Sequence, residues 1–555
     1  MRPLDWVVLA CSLVFIVGYG LWRGRGSNSV NKYLLAGKTM PWYAMALSIM
    51  ATQASAITFI STTGQSYVDG MRFVQFYFGL PVAMVILAAT AVPIFHRAGV
   101  YTAYEYLEQR FDARTRALVS FIFLIQRGLA VGMALYAPAI VLTVILGWPD
   151  RLTTIVMGVL VITYTVAGGI QAVTWTDFQQ MFIMMTGLAV ALVTAILLLP
   201  GNVSLIDAMY LAGAAGKLNA VTTTVDWHDR YNLWSGLIGG TFLALAYFGC
   251  DQSQVQRYLT GKSIAQSRLS LLFNAAAKVP MQFFILFTGA MVFVFFHFEK
   301  PPVLFQPVEL QRLEQVAPAE FTALNTAYGA AYQGRRQAAT ELVQARRTID
   351  DVRIAQSVAR YKESQKAVDG ARKQASALVE RTGGSAPNDT NYIFLTFVTR
   401  YMPAGLVGLV MAAIFAAAMS TISAEINSLA TVTVVDIYRR HIRKEASDRH
   451  YLNVSRWATA FWGVYAIVTA EYGRRLGSLI EAVNMLGSLF YGGMLGVFIL
   501  AFYFPRVKAR GAFYGVLAGE AAIFAAHTFT GISFLWYNVI GCLVVVVTGV
   551  ILSRR

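Results

Sequence analysis

The chain has 555 residues, of which 57% are hydrophobic and only 13% are charged. Ordinary globular domains carry about 25% charged residues, so the composition excludes a soluble globular protein and predicts an integral membrane protein. The net charge of +16 does not indicate nucleic-acid binding, because the basic residues are scattered over connecting loops and do not gather on one face.

Apolar stretches recur along the whole chain and predict an all-α membrane protein with about thirteen transmembrane helices, since a spanning helix needs about 18 or more apolar residues. In chain order the predicted spans are 4–22, 42–66, 72–95, 117–147, 152–168, 173–199, 233–256, 270–298, 395–437, 452–471, 478–503, 511–528 and 532–552. The stretch 395–437 is too long for one straight helix, so a lead-in helix or loop is expected at its start.

Basic residues in the connections predict the orientation of the chain. Most of them follow spans 1, 3, 7, 9 and 11 or the last span, for example Arg439, Arg440 and Arg506. Apart from the polar segment 301–390, the opposite side carries few, such as Arg474 and Arg475. Because Lys and Arg favour cytoplasmic loops, we expect a multi-pass protein of the plasma (inner) membrane, with its N-terminus outside and its C-terminus in the cytoplasm.

Polar residues interrupt two of the spans. Span 2 contains the run 51–58 (ATQASAIT), and span 7 ends in Gly249, Asp251 and further polar residues. Spans 2 to 11 form two groups of five, and each group then begins with an interrupted helix. This pattern predicts a five-plus-five inverted repeat with the substrate at mid-membrane, where unwound carbonyls can ligate Na⁺.

Residues 301–390 differ from the rest of the chain, because they are polar and rich in Ala, Gln, Arg and Glu. Charge pairs three residues apart, such as Asp350 with Arg353, predict a solvent-exposed helical hairpin. The segment follows an outward-running span, so we expect an extracytoplasmic insert between transmembrane parts 1–300 and 391–555. Its role is either to bind a partner or substrate, or to serve as a tolerated loop insertion.

Span 9 places small residues and hydroxyls on one helix face, because Ala417, Ser420, Ser423 and Asn427 are three or four residues apart. Such a face allows another helix to approach closely, or it holds a hard cation without a carboxylate. Both alternatives stay open on the residues of this span alone. Cys11, Cys250 and Cys542 show no metal-ligand spacing, so no metal other than sodium is expected.

Five sequence motifs, in order, resemble those of the sodium:solute symporter family. They are residues 32–37, 102–112, 168–180 (GGIQAVTWTDFQQ), 251–258 and the span-9 run with 436–438. The resemblance covers the membrane part and omits 301–390. It implies a LeuT-type fold and Na⁺-driven uptake of a small organic solute. No nucleophile–base arrangement indicates an enzyme.

The resemblance also implies the ion sites. One sodium would lie between spans 2 and 9, on the carbonyls of Ala51, Ala54 and Ala417 and the hydroxyls of Ser420 and Thr421. A second sodium or an ion-release path would involve Asp177, Ser420 and Ser423. This second set lacks one hydroxyl, because position 424 is alanine. We therefore expect one sodium ion per substrate.

By the same resemblance, the substrate would contact Gln53, Ser55 and Thr58 on span 2 and Phe73 on span 3. Residues 102–112 and 135–138 are most similar to the branch that carries monocarboxylates, vitamins and sialic acid, which implies an organic anion. A Na⁺/sugar or Na⁺/amino-acid symporter is the alternative. A transporter-like sensor is less expected, because only three residues follow the last span.

Several charged residues lie within predicted spans, where charge is costly and usually functional. Arg127 is a candidate contact for a substrate carboxylate, but an arginine near a span end is more often expected to extend to the cytoplasmic surface. Lys278 and Glu425 are expected either to pair with each other or to reach an aqueous vestibule.

Overall fold

The computed structural model describes residues 1–23, 29–167, 170–348, 350–384, 389–473 and 479–554. Within these ranges the chain is helical and forms no β-strand. The first half contains α1 (Pro3–Arg23), α2 (Val30–Leu35), α3 (Trp42–Gln53), α4 (Thr63–Asp69), α5 (Leu80–Ala89), α6 (Ala91–Ala98), α7 (Ala103–Arg110), α8 (Ala113–Leu146), α9 (Asp150–Ala167), α10 (Ile170–Leu197), α11 (Leu205–Ala214), α12 (Gly240–Gly249), α13 (Gln252–Leu259) and α14 (Ile264–Phe298). The second half contains α15 (Pro307–Val316), α16 (Pro318–Arg347), α17 (Asp351–Arg381), α18 (Thr390–Tyr401), α19 (Leu406–Val432), α20 (Asp448–Gly473), α21 (Leu479–Tyr503), α22 (Ala509–Phe529) and α23 (Leu535–Ser553).

Length and hydropathy identify most of the predicted spans among the described residues. Nine helices are long and apolar enough to cross a bilayer, and α3 with α4 makes a tenth as a bent pair. The predicted spans 152–168, 233–256 and 452–471 correspond to α9, to α12 with α13, and to α20, which are not among these ten. The all-α membrane architecture is thus confirmed, while the total of thirteen spans stays a prediction.

Both predicted interruptions are present as breaks in helices. The α3 helix ends at Gln53, and after a short break the chain continues through the π-helical turn Thr58–Thr62 into α4, with a bend of 61°. The α12 helix ends at Gly249, and α13 begins only at Gln252. Asp251 caps α13, because its carboxylate accepts the Ser253 N–H at 2.9 Å. Polar residues inside apolar runs correctly located both breaks.

The long stretch 395–437 divides as expected into a lead-in helix and a spanning helix. A break at Gly405, with φ +86°, separates α18 from α19. The Asp5 carboxylate of α1 accepts the N–H groups of Gly405 and Gly408 at 2.6 and 3.3 Å. These are N–H groups at the start of α19 that have no partner within the helix, so α1 caps the helix that carries the predicted sodium ligands.

The polar segment forms the predicted hairpin, with α16 and α17 packed against each other. The hairpin is anchored to the helix bundle at three points. Arg346 and Arg347 pair with Asp207 of α11 at 2.5 and 2.7 Å. The other two anchors are Arg335, which donates to the Phe296 carbonyl at 2.7 Å, and Arg372, which pairs with Asp389 at 2.5 Å. The end of this segment is described only in part, because residues 385–388 lie outside the described ranges, as do Gly168, Gly169, Arg474 and Arg475.

Candidate functional site

A cavity lies in the middle of the helix bundle, next to both helix breaks. Its atom-free space, counted together with the open solvent at its mouth, is about 930 Å³. Its walls come from the α3 break, the short helix Met71–Tyr77, α5, α8, α12, α19 and α21. Six residues singled out from the sequence line it, namely Gln53, Ser55, Thr58, Arg127, Thr421 and Glu425.

Phe73 does not line this cavity. Its ring is fully buried and stacks on Phe76 with centroids 5.5 Å apart, and it also contacts Tyr231. Phe76 and Tyr77 line the cavity from the same short helix. Phe73 therefore supports the aromatic wall from behind, and its assignment as a direct substrate contact stays a prediction.

The predicted sodium ligands lie on two helices that pack against each other, α3 and α19. Ala51, Ala54 and Ala417 are buried, and so are Ser420 and Thr421. The hydroxyl oxygens of Ser420 and Thr421 have no hydrogen-bond partner among the described residues. The helical hydrogen-bond ladder of α3 ends where the Met50 carbonyl accepts the Ala54 N–H at 2.8 Å. Hydroxyl oxygens without partners on α19, which packs against α3, are suitable ligands for a hard cation.

Asp177 is engaged in a buried ion pair. Its Oδ2 accepts from Arg257 of α13 at 2.6 Å and from the Ser48 hydroxyl at 2.5 Å. Ser423 donates to the Ser420 carbonyl at 3.0 Å, which is a local helix contact. Arg257 was not assigned a role from the sequence, although it lies in the motif 251–258. A second sodium at Asp177 would have to share this carboxylate with a guanidinium.

Arg127 does not extend to a surface, so the expectation that it snorkels is wrong. It is 2% exposed and lies deep in the bundle, where Nη1 donates to Glu425 at 2.8 Å. Its Nη2 donates to the Asp251 carboxylate and, at 2.7 Å, to the Tyr491 hydroxyl. Two carboxylates balance one guanidinium here, because an unpaired buried charge would be too costly.

Of the two alternatives for Lys278 and Glu425, the pairing is wrong, because Glu425 pairs with Arg127. Glu425 also lines the cavity. Lys278 is fully buried, and its ammonium lies 5.4 Å from the centroid of the Tyr77 ring. A cation over an aromatic face is stabilised by the ring quadrupole. Lys278 thus lies behind the aromatic wall of the cavity.

Charged networks lie on both sides of the cavity along the bundle. Near the hairpin, Glu481 of α21 pairs with Arg230 at 2.6 Å and accepts from the Tyr231 hydroxyl at 2.8 Å. At the opposite end, Arg116 of α8 pairs with Asp436 at 2.6 Å and with Glu108 at 2.7 Å.

This second network joins α7 and α8 to the π-helical segment Thr433–Ile442, because Arg440 also pairs with Glu108, at 2.5 Å. Burial disfavours the ionised form of Glu108, but the hydrogen bonds and charges of Arg440 and Arg116 outweigh it and lower the pKa of that carboxyl. Arg110 of α7 donates to loop carbonyls, including that of Pro505 at 2.8 Å.

Comparisons with known proteins place this arrangement among transporters. The model of the sodium:solute symporter family matches residues 33–330 and 370–519. The human sodium-coupled monocarboxylate transporter 1 is 27% identical over 93% of this chain and 72% of its own length. The sodium/sialic acid symporter NanT of Aliivibrio fischeri is 27% identical over 98% of this chain and 92% of its own length.

A solved structure has the same fold. It is a Na⁺-coupled sialic acid symporter in a substrate-bound outward-open state, with a TM-score of 0.76 and 24% sequence identity. The match covers 100% of this chain and 98% of that one, which confirms the predicted LeuT-type fold. The expected omission of 301–390 is too wide, because the family match includes residues 301–330 and 370–390 and omits only 331–369. The described residues of this omitted part lie in the distal part of the α16–α17 hairpin.

Proposed function

Because this chain belongs to the sodium:solute symporter family and is a Na⁺-coupled symporter, we propose that it imports a small organic anion of the monocarboxylate or sialic acid kind. One observation carries this proposal. Arg127, a cation, and Thr421, a hydroxyl with no partner among the described residues, line one cavity. Such a symporter needs a contact for the anion and a ligand for the ion, and neighbouring walls of the same cavity then supply both.

In this proposal the sodium ion binds between α3 and α19, to the carbonyls of Ala51, Ala54 and Ala417 and to the hydroxyls of Ser420 and Thr421. Neutral oxygen ligands suit Na⁺, because they hold it weakly enough for release. Thr421 belongs both to this set and to the cavity wall. Bound sodium therefore fixes the break in α3 next to Gln53, Ser55 and Thr58, which contact the substrate, and this couples the two binding events.

Alternating access then requires that the two ends of the bundle open in turn. The Glu481 network closes the hairpin end, and the Arg116–Asp436–Glu108 network closes the opposite end. We place the hairpin outside the cell and the C-terminus in the cytoplasm of a plasma (inner) membrane, in agreement with the distribution of basic residues. The hairpin surface is then available to an extracytoplasmic partner.

The proposal is tested by reconstitution of the purified protein in proteoliposomes. Uptake of labelled lactate, pyruvate and N-acetylneuraminate is measured with an inward Na⁺ gradient and with K⁺ in its place. We expect at least one of these anions to accumulate only with Na⁺, and substrate-dependent ²²Na⁺ entry to accompany it. Folded protein that transports none of them, but transports a sugar, would contradict the anion assignment.

A Na⁺/amino-acid symporter is the second candidate. The observation that favours it is the excess of acid beside Arg127, where Asp251 and Glu425 face one guanidinium. A zwitterion adds no net charge to this site, whereas an anion adds one. Competition of unlabelled amino acids against the labelled anions separates the two candidates.

A further inference from the structure

The ion pair between Arg127 and Glu425 is incomplete on both sides. Arg127 uses Nη1 for Glu425 and Nη2 for Asp251 and Tyr491, but its Nε has no hydrogen-bond partner among the described residues. Glu425 uses Oε1 for Arg127, and its Oε2 accepts no hydrogen bond from the described residues. Both side chains are nine-tenths or more buried. One donor and one acceptor therefore stay free in a single ion pair.

Arg127 and Glu425 both line the cavity, so a ligand bound there lies against this ion pair. Buried polar atoms are nearly always hydrogen-bonded, so each exception needs an explanation. A pair that served only packing would place both groups where neighbouring helices satisfy them. A ligand that accepts from Arg127 and donates to Glu425 would satisfy both atoms at once.

Charge explains why the ligand needs a donor group. A carboxylate bound at Arg127 lies within a few ångströms of the Glu425 carboxylate, and like charges at that distance in a buried site repel strongly. A hydroxyl or ammonium group beside the substrate carboxylate would lie between the two anions and donate to one of them. Glu425 is also one helical turn after Thr421 on α19, so sodium at the predicted site would reduce the same repulsion.

We propose that Glu425 recognises the substrate. The transported acid carries an O–H or N–H donor next to its carboxylate group; this donor binds Glu425 Oε2 while the carboxylate group accepts from Arg127. This inference rests on the proposed function and makes it narrower. The substrate class is that of α-hydroxy or α-amino carboxylates and their larger relatives. Carboxylates without a donor bind to the same cavity more weakly.

The test compares three acids that differ only at the second carbon atom, propionate, L-lactate and L-alanine. Na⁺-dependent uptake of each is measured in proteoliposomes with the full-length protein, and mandelate with phenylacetate repeats the comparison for larger acids. We expect the donor-bearing acid to show a KM at least tenfold below that of its partner without the donor. Whether lactate or alanine is preferred tells which donor the site accepts.

The matched variant is Glu425→Gln, which keeps the shape and removes the charge. A hydrogen bond to a charged group is stronger than one to a neutral group by about tenfold in binding, so the preference for the donor-bearing acid should fall by about tenfold. The control is Glu520→Gln on α22, a carboxylate that does not line the cavity, and it should leave the preference unchanged. If Glu425→Gln abolishes uptake, thermal-shift titrations of the same acids in detergent provide the ratio of the affinities for the acid with the donor and the acid without it.

The outcomes separate the two proposals. Carboxylate uptake without preference for a donor, or a preference that survives Glu425→Gln, would overturn the role of Glu425 and leave the anion symporter intact. If a folded Glu425→Gln variant binds and takes up both acids more weakly by the same factor, Glu425 serves to position Arg127. That result would also overturn the inference. If no carboxylate binds, while Na⁺ still stabilises the protein, both proposals fail.

Discussion

The Thr421→Val substitution tests the sodium site directly. Valine keeps the shape of threonine, and Thr421 Oγ1 has no hydrogen-bond partner among the described residues, so the change removes no protein–protein hydrogen bond. It does remove an unsatisfied buried hydroxyl, which costs about 1–3 kcal/mol to bury. We therefore expect the variant without Na⁺ to be at least as stable as the parent.

The effect on sodium binding has the opposite sign. Loss of one of five oxygen ligands should lower the affinity for Na⁺ by about tenfold or more, which equals about 1.4 kcal/mol of binding free energy. Because ligand binding stabilises the folded state by mass action, the same 1.4 kcal/mol should disappear from the Na⁺-dependent part of the stability at saturating Na⁺. Two independent measurements therefore report the same free-energy change. They are the Na⁺ activation curve of uptake and the thermal shift between NaCl and KCl.

A matched control lies on the same helix. Thr431 is also buried in α19, but its hydroxyl donates to the Asn427 carbonyl at 2.7 Å. Thr431→Val therefore removes a local bond of the kind worth about 1 kcal/mol and should leave Na⁺ activation unchanged. The reasoning is refuted if Thr421→Val leaves the Na⁺ curve unchanged, or if both variants shift it equally.

Three further predictions concern stoichiometry, closure and the hairpin. With Asp177 held by Arg257 and Ser48, we expect a Na⁺ Hill coefficient near one and the transport of one Na⁺ per substrate. Two Na⁺ per substrate in the parent would contradict this, whereas two Na⁺ per substrate only in Ala424→Ser would support it. Asp436→Asn should loosen the end of the bundle closed by Arg116 and speed maleimide labelling of the buried Cys250. The control is the Cys250→Ala variant, and an unchanged labelling rate would show that this network does not close that end. Burial opposes ionisation of Asp207, but hydrogen bonds from Arg347, Ser204 and Arg346 outweigh it and hold its pKa well below the ordinary value. Its anchoring of the hairpin is therefore complete above the ordinary carboxyl pKa of about 3.9 and is lost only as the pH falls through the lowered pKa. At neutral pH Asp207→Asn should cost about 1 kcal/mol of docking and make trypsin cut near Arg346 and Arg347 about fivefold faster, whereas equal cleavage rates would show that these pairs do not anchor the hairpin.

Local sequence signals predicted the architecture well. The two helix breaks were found because polar and small residues interrupt apolar runs at 51–58 and 249–254, and such residues cannot face lipid. The hairpin was found because its composition changes abruptly and its charges recur at helical spacing. These signals are contained within a few turns of the chain, so no tertiary information was needed to interpret them.

The charge pairs could not be predicted in the same way. Arg127 was expected at a surface because its partners are remote, Asp251 at 124 and Glu425 at 298 residues along the chain. The same holds for Arg257, which is 80 residues from Asp177. A buried arginine and a snorkelling arginine look identical in one sequence, and only the fold determines which carboxylates reach it.

The α16–α17 hairpin has a practical consequence for imaging. A symporter of 60.9 kDa whose mass lies mostly within a detergent micelle offers few features for particle alignment in electron cryomicroscopy. A helix of the length of α16, with 30 residues, extends about 45 Å at 1.5 Å per residue. Since three side-chain anchors tie the hairpin to the bundle, it should serve as a built-in fiducial and as a rigid epitope for antibody fragments, without an engineered fusion.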